Sequence, residues 1–132
     1  MKFQPDTQDG VNVITRHERG RIWVGSAAFS DSLLVPWAAG VQPWPVRRFD
    51  ELTAAHFESL LALRPELVIF GSGHRMRFAA PELMRALTEN GIGVETMDTA
   101  AACRTFNVLA AEKRSVLAAL LIDEGGSAAK TL

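Results

Sequence analysis

Residues 66–97 carry three runs in succession, "ELVIFG", "PELMRALTEN" and "GIGVETM", and no other feature limits the fold of this chain as much. The first is short and apolar throughout, the pattern of a strand covered on both faces. The second begins at Pro81, which suits the first helical position because its missing N–H would be unpaired there. It carries Leu83, Met84 and Leu87 inward and stops at Asn90-Gly91, a C-cap pair. The third run is strand-like again. Strand, helix and strand at this spacing form a βαβ crossover, which lays the two strands side by side and parallel.

The flanks extend this unit. Upstream, "FDELTAAHFESLLALRPE" places Phe57, Leu60, Leu61 and Leu63 on one helical stripe, with Asp50 or Thr53 as cap and Arg64-Pro65 as stop. Downstream, Asp98 or Thr99 caps "TAAACRTFNVLAAEK", whose stripe is Ala102, Cys103, Phe106, Leu109 and Ala110. "SVLAALLI" favours helix by intrinsic propensity. Because it is apolar all round and bounded by charges, it reads as a buried strand. Before Phe49 the chain is β-rich: "VNVITRH" and "GRIWVGSAAF" alternate across a glycine-containing charged link, a hairpin signal. "SDSLLVP" is a third strand, ended by Pro36. "VQPWPVRRF" is extended but broken by Pro43 and Pro45, which permit an edge or irregular position but not a central one.

With 132 residues the chain forms one domain, 1–132, ordered over about residues 11–122 and with a flexible tail at 123–132. Fourteen basic against fifteen acidic residues give a net charge of -1, which offers no general attraction to nucleic acid or an anionic membrane. No apolar run reaches the roughly 20 residues of a membrane span, and the start lacks a signal-peptide core. One cysteine, Cys103, excludes an intramolecular disulfide framework and suits a reducing interior. The expected location is the cytoplasm, with no membrane insertion and no nucleic-acid partner.

The chemistry turns on "FGSGHRMRF". Gly71 and Gly73 lack the third glycine of a dinucleotide fingerprint, since Met76 stands there. The Lys-Ser/Thr of a Walker loop is absent, and Ser72 lies in G-S-G rather than in the G-x-S-x-G of a nucleophile elbow. In a parallel sheet, however, the loops after adjacent strands share the carboxyl edge, where ligands bind. Gly71, Ser72, Gly73, His74 and Arg75 then meet Asp98 and Thr99, with Arg77 nearby. Two readings stand. Turn N–H groups and an arginine can hold a carboxylate or phosphate. Alternatively, the glycines supply positive φ and Thr99 caps a helix.

Other candidates are weaker. His17, His56 and His74 have no ligands at metal spacing, so neither metal nor cofactor is expected. Ser72, His74 and Asp98 make an awkward triad, because Ser72 and His74 are two residues apart on one turn. Cys103 is near a helix N-terminus, which lowers a thiol pKa, but lies on the apolar stripe, where a structural role is commoner. Asn107, at the margin of that stripe, needs buried partners for its amide and is expected to bond loop or strand backbone. Trp23, Trp37 and Trp44 serve as packing or as contact surface. Trp44 beside Arg47 and Arg48 motivates a weak homodimer or partner site on that segment.

"VIFGSG", "MDTAAACRTFNVLAAEKRSVLAALL" and "SLLVP…W" together resemble the domain-of-unknown-function family 498/598. This family includes small bacterial and archaeal proteins and a mitochondrial assembly factor of respiratory complex I. The resemblance spans roughly residues 11–122. Its most specific parts are Gly71, Ser72 and Gly73, and Thr99 with Ala102, Asn107, Glu112 and Arg114. Phe106 stands where tyrosine is common, removing a hydroxyl, and Lys113 where glycine is common. The resemblance implies an α/β fold, a three-layer β/α arrangement around a central mixed sheet with a last antiparallel strand. The N-terminal β-rich part is expected to pack against it. It implies no catalytic activity, but a non-catalytic protein-binding or assembly-type module. The alternative is a small-ligand (anion or carboxylate) or enzymatic site at the carboxyl edge.

Overall fold

The structure, a computed structural model, describes residues 10–123. The expected tail lies outside these residues from 124 onward. A five-stranded mixed sheet forms the middle layer. Its strands are β4 (Leu33–Pro36), β5 (Gln42–Pro43), β6 (Leu67–Gly71), β7 (Gly93–Met97) and β8 (Val116–Leu120), in the order β5-β4-β8-β6-β7. Strands β6 and β7 are parallel, as the crossover spacing predicts. The second sheet is antiparallel and joins β1 (Ile14–Glu18), β2 (Arg21–Val24) and β3 (Ala27–Phe29). The alternating run after Gly20 thus becomes two strands, because Gly25 turns the chain with φ +60°.

Strand β8 shows why "SVLAALLI" is apolar on every side. It occupies the centre of the sheet, so alternate residues enter different cores. Val116, Ala118 and Leu120 face a core made with Val35 and Ile69, with Ala102, Cys103, Phe106 and Ala110 of helix α3 (Thr99–Ala111), and with Ile14, Ile22 and Val24 of the small sheet. Leu117, Ala119 and Leu121 face the other core, with Val68, Phe70, Trp44, Phe57, Leu60 and Leu87. The three layers and the packed N-terminal β part follow from this division. The antiparallel character expected of the last strand holds only towards β4. Towards β6, β8 is parallel, since α3 returns the chain to the sheet as a second crossover. Strand β4 is the one that reverses direction.

The helix expected from Phe49 is broken. A 3-10 turn (Phe49–Glu51), helix α1 (Ala54–Glu58) and a second 3-10 segment (Ser59–Leu63) replace it. The carbonyl of His56 accepts from Ser59 Oγ at 2.9 Å and from Trp44 Nε1 at 3.2 Å, and such side-chain donors compete with the helical ladder. The ring of His56 accepts from Thr53 N through Nδ1 at 2.9 Å and contacts the carbonyl of Pro45 through Nε2 at 3.1 Å. That histidine is a structural tie. Trp44 is 2% exposed and packs edge-on against Phe57 and Phe70. The surface expected on its segment therefore loses its aromatic anchor to the core. The second predicted helix is likewise a 3-10 turn (Pro81–Met84) leading into α2 (Arg85–Glu89).

Two features match the positions that carry the resemblance. Lys113, where glycine is common, has φ +64°, in the left-handed region that favours glycine. Arg114 bonds Glu66 Oε2 at 3.0 Å while Ser115 N donates to Glu66 Oε1 at 3.3 Å. These contacts join the starts of β6 and β8. The Arg114 bond, followed by the Ser115 N–H, holds the Glu66 carboxyl below its ordinary pKa.

Candidate functional site

Because β6, β7 and β8 are parallel, they end together: Gly71 is level with Met97 and with Leu120. Three chain segments consequently meet at one edge, namely the loop after β6, the start of α3 and residues 121–123. Ser72 N donates to Met97 O at 2.9 Å, Thr99 N to Gly73 O at 2.8 Å and Leu121 N to Gly71 O at 3.0 Å. Thr99 Oγ1 accepts from Gly73 N at 2.9 Å and donates to Leu121 O at 2.8 Å, stitching all three segments. Asp98 is the N-cap of α3, accepting from Ala101 N at 2.8 Å. Thr99 is the first helical residue rather than the cap.

Both glycines are dictated by crowding. A Cβ at residue 71 would lie 3.0 Å from Thr99 Oγ1 and from Leu120 Cδ2. At residue 73, where φ is +108°, it would lie 2.4 Å from Asp123 Oδ2. Ser72 is wholly buried. Its Oγ donates to Arg75 O at 2.9 Å and accepts from Arg77 N at 2.9 Å, which shapes the loop that follows.

The chain itself places an anion at this turn. Asp123 Oδ1 accepts from His74 N at 3.3 Å and lies 3.3 Å from His74 Nδ1, while Oδ2 accepts from Arg77 Nη2 at 3.2 Å. The Asp123 side chain is 8% exposed. Arg77 also donates to Ser72 O at 3.2 Å and lies over the Phe49 ring, 4.5 Å from its centroid. Sequence reasoning places Arg77 only near the site and assigns Asp123 to the tail. Nothing local marks Asp123, whose partners are 46 and 49 residues away. Arg75 is exposed and, with Met76 and Phe78, forms the outer part of the loop.

Several proposed constellations do not assemble. The Ser72 hydroxyl bonds backbone groups and not His74, and Asp98 is committed to its cap, so the triad does not form. Cys103 is buried in the core under α3. Burial, reinforced by the charge of Asp98 and opposed by Arg104, pushes its thiol up from 9.0 to about 12, the reverse of activation. Among the described residues, no cluster of three or more His, Cys, Asp or Glu residues could hold a metal ion, and no helix is long and apolar enough to cross a membrane. Asn107 pairs with one strand residue: its Oδ1 accepts from Ile14 N at 2.9 Å and its Nδ2 donates to Ile14 O at 2.8 Å. In this way α3 holds β1.

A concave surface does exist at the edge. A cleft of about 360 Å³ is lined by the hairpin turn residues His17, Glu18 and Arg19 and by His74, Asp98 and Thr99. A second, of about 470 Å³, opens on the other side of His74 and Asp123, against Arg47, Arg48 and Arg77.

Comparison with known proteins places the chain. It is 37% identical over 112 residues to the Bos taurus protein named NADH dehydrogenase [ubiquinone] 1 alpha subcomplex assembly factor 3, covering 83% of this chain and 60% of that protein. The chain thus spans about three-fifths of the bovine relative's length. A crystal structure from Bordetella parapertussis superposes with a TM-score of 0.82 at 39% identity, over 86% of this chain and 98% of that one. A solution structure from Bordetella pertussis, described as a Mth938-like domain, gives 0.79 at 32% identity over 92% of each. With residues 14–121 matched by the family's own profile, the chain belongs to the family described as protein of unknown function (DUF498/DUF598).

Proposed function

We propose that this chain is a non-catalytic, assembly-type module that holds another protein through the carboxyl edge of its sheet. The observation that carries the reading is how the polar groups of that edge are used. The Ser72 and Thr99 hydroxyls and the N–H groups of Ser72 and Gly73 are all bonded within the chain. A nucleophile or oxyanion donor must face its substrate, and these face the protein. Meanwhile Phe78, on a loop tied down by Ser72 and Arg77, is 72% exposed, and Met76 is 48% exposed. Large apolar side chains beside exposed arginine have the composition of contact surfaces. The bovine relative's name supports the same class of function.

The test is genetic. In the organism that encodes the chain, deleting its gene should deplete a multisubunit complex on native gels, with NADH dehydrogenase the first to inspect, and the intact gene should restore it. Unchanged complexes throughout would refute the reading. The cleft of about 360 Å³ favours one alternative, a small-ligand site lined by His74, Asp98 and Thr99. A bound ligand at a hundred times its Kd adds about 2.7 kcal/mol of stability, so a thermal-shift screen of small acids and nucleotides addresses it.

A further inference from the structure

The contacts around Asp123 describe a binding site as much as a closed turn. Two donors converge on one carboxylate, the backbone N of His74 at 3.3 Å and Nη2 of Arg77 at 3.2 Å, and ring Nδ1 of His74 lies 3.3 Å from it. Charge-assisted N–H···O contacts settle at about 2.7–2.9 Å when geometry is free to optimise. The Asp123 contacts lie at or just beyond the long end of the ordinary N–H···O range. Among the described residues, Arg77 Nε is also buried with no hydrogen-bond partner.

The cage is positioned by more than its present occupant. Arg77 rests on the Phe49 ring and bonds Ser72 O, and its own backbone N–H is fixed by Ser72 Oγ. The absence of a side chain at Gly73 leaves room for an oxygen where a Cβ would sit 2.4 Å from Asp123 Oδ2. Clefts open on both sides of the His74–Asp123 pair, giving an incoming group two approaches. The present occupant is a carboxylate, so the donor set suits that chemistry.

We propose that His74, Arg77 and the turn backbone form a carboxylate-binding site for an acidic side chain or terminal carboxylate of the partner protein, with Asp123 as a tethered placeholder exchanged on docking. This rests on the reading of the chain as a protein-binding module and names what the partner brings. No covalent step is involved; one ion pair replaces another. Free of the strand end, the incoming carboxylate can take the two-pronged geometry that arginine prefers.

The experiment is an amide NMR titration of the full chain at constant ionic strength. The probes are N-acetylglycine, which imitates a chain terminus, the α-amide of N-acetylaspartic acid, which imitates an acidic side chain, and inorganic phosphate. In wild type, at least one carboxylate probe should give saturable shifts at Gly73, His74 and Arg77, and the stronger of the two identifies the source. Asp123→Ala should tighten binding by the factor with which Asp123 closes the site, since the apparent Kd scales inversely with the open fraction. Arg77→Lys keeps the charge, lacks the fork and should lose the response. No saturable shift in wild type overturns the proposal, and so does a response to phosphate alone. Binding by Asp123→Ala without binding by wild type also overturns it, since this marks only a filled engineered void. If Asp123→Ala does not fold, Asp123→Asn supplies the comparison and the wild-type titration still decides. Depletion of a complex on gene deletion together with a failed titration would leave the module reading standing and remove the exchange.

Discussion

Replacing Asn107 by leucine isolates one device that holds the small sheet to the rest of the fold. The amide of Asn107 meets both the N–H and the C=O of Ile14, and Ile14 is 4% exposed. Leucine satisfies neither group. An orphaned buried polar group costs about 1–3 kcal/mol, so two cost about 2–6 kcal/mol. Both bonds are only partly buried, which favours the low end, and the added apolar surface returns about 1 kcal/mol. The net loss should be about 1.5–3 kcal/mol. An unfolding entropy of about 2.1 cal/mol/K per residue over 132 residues converts this to a fall in Tm of about 5–11 °C. Urea and thermal unfolding followed by circular dichroism measure it, with Val108→Ser on the exposed side of the same helix as control. Hydrogen exchange at the Ile14 amide should accelerate in the variant. A Tm within about 1 °C of wild type would mean that the Asn107 amide does not hold Ile14.

Gly71→Ala should destabilise by about 1–3 kcal/mol through overpacking, because its Cβ meets Thr99 Cα at 3.1 Å and Thr99 Oγ1 and Leu120 at 3.0 Å. Unfolding midpoints read this directly, and an unchanged midpoint contradicts the crowding. Cys103 should resist thiol reagents in the native state near pH 8 and react on denaturation, since burial pushes its thiol up to about 12. The folded state keeps that proton to higher pH than the unfolded chain. Its stabilising contribution is therefore complete below about pH 9 and is lost as pH rises towards about 12. Rapid native labelling at neutral pH would contradict this.

What the sequence reveals of this fold is what local pattern encodes. The parallel β6–β7 pair, the edge position of β5 and the central β8 follow from apolar runs, proline and flanking charge, because each reports burial of a contiguous segment. Strand β8 is the clearest case, since its residues alternate between two cores and leave no polar face. Helix α1 is shorter than its apolar stripe suggests, because Trp44 and Ser59 draw the His56 carbonyl out of the ladder. No periodicity records that competition. The loops that meet at the carboxyl edge are legible from topology, and Thr99 and Gly73 bond each other there. Asp123 is not legible, because a contact across 49 residues leaves no local trace. Trp44 is misleading for a related reason: proline and arginine neighbours suggest a surface, while its ring packs edge-on against both Phe57 and Phe70. Phe78 takes over as the exposed aromatic.

Docking of another protein on the edge carrying Phe78 is tested most directly by tagged purification from the native organism with quantitative mass spectrometry. Three forms are compared: wild type, Phe78→Ser and Val108→Ser, the last replacing an exposed apolar residue on helix α3. Loss of an anchor residue at an interface typically costs about 2 kcal/mol or more, roughly a thirtyfold fall in affinity. A reproducible partner should appear with wild type and Val108→Ser and be depleted with Phe78→Ser, all three melting alike. Equal recovery from Phe78→Ser and wild type, or no partner above an untagged control, would contradict it.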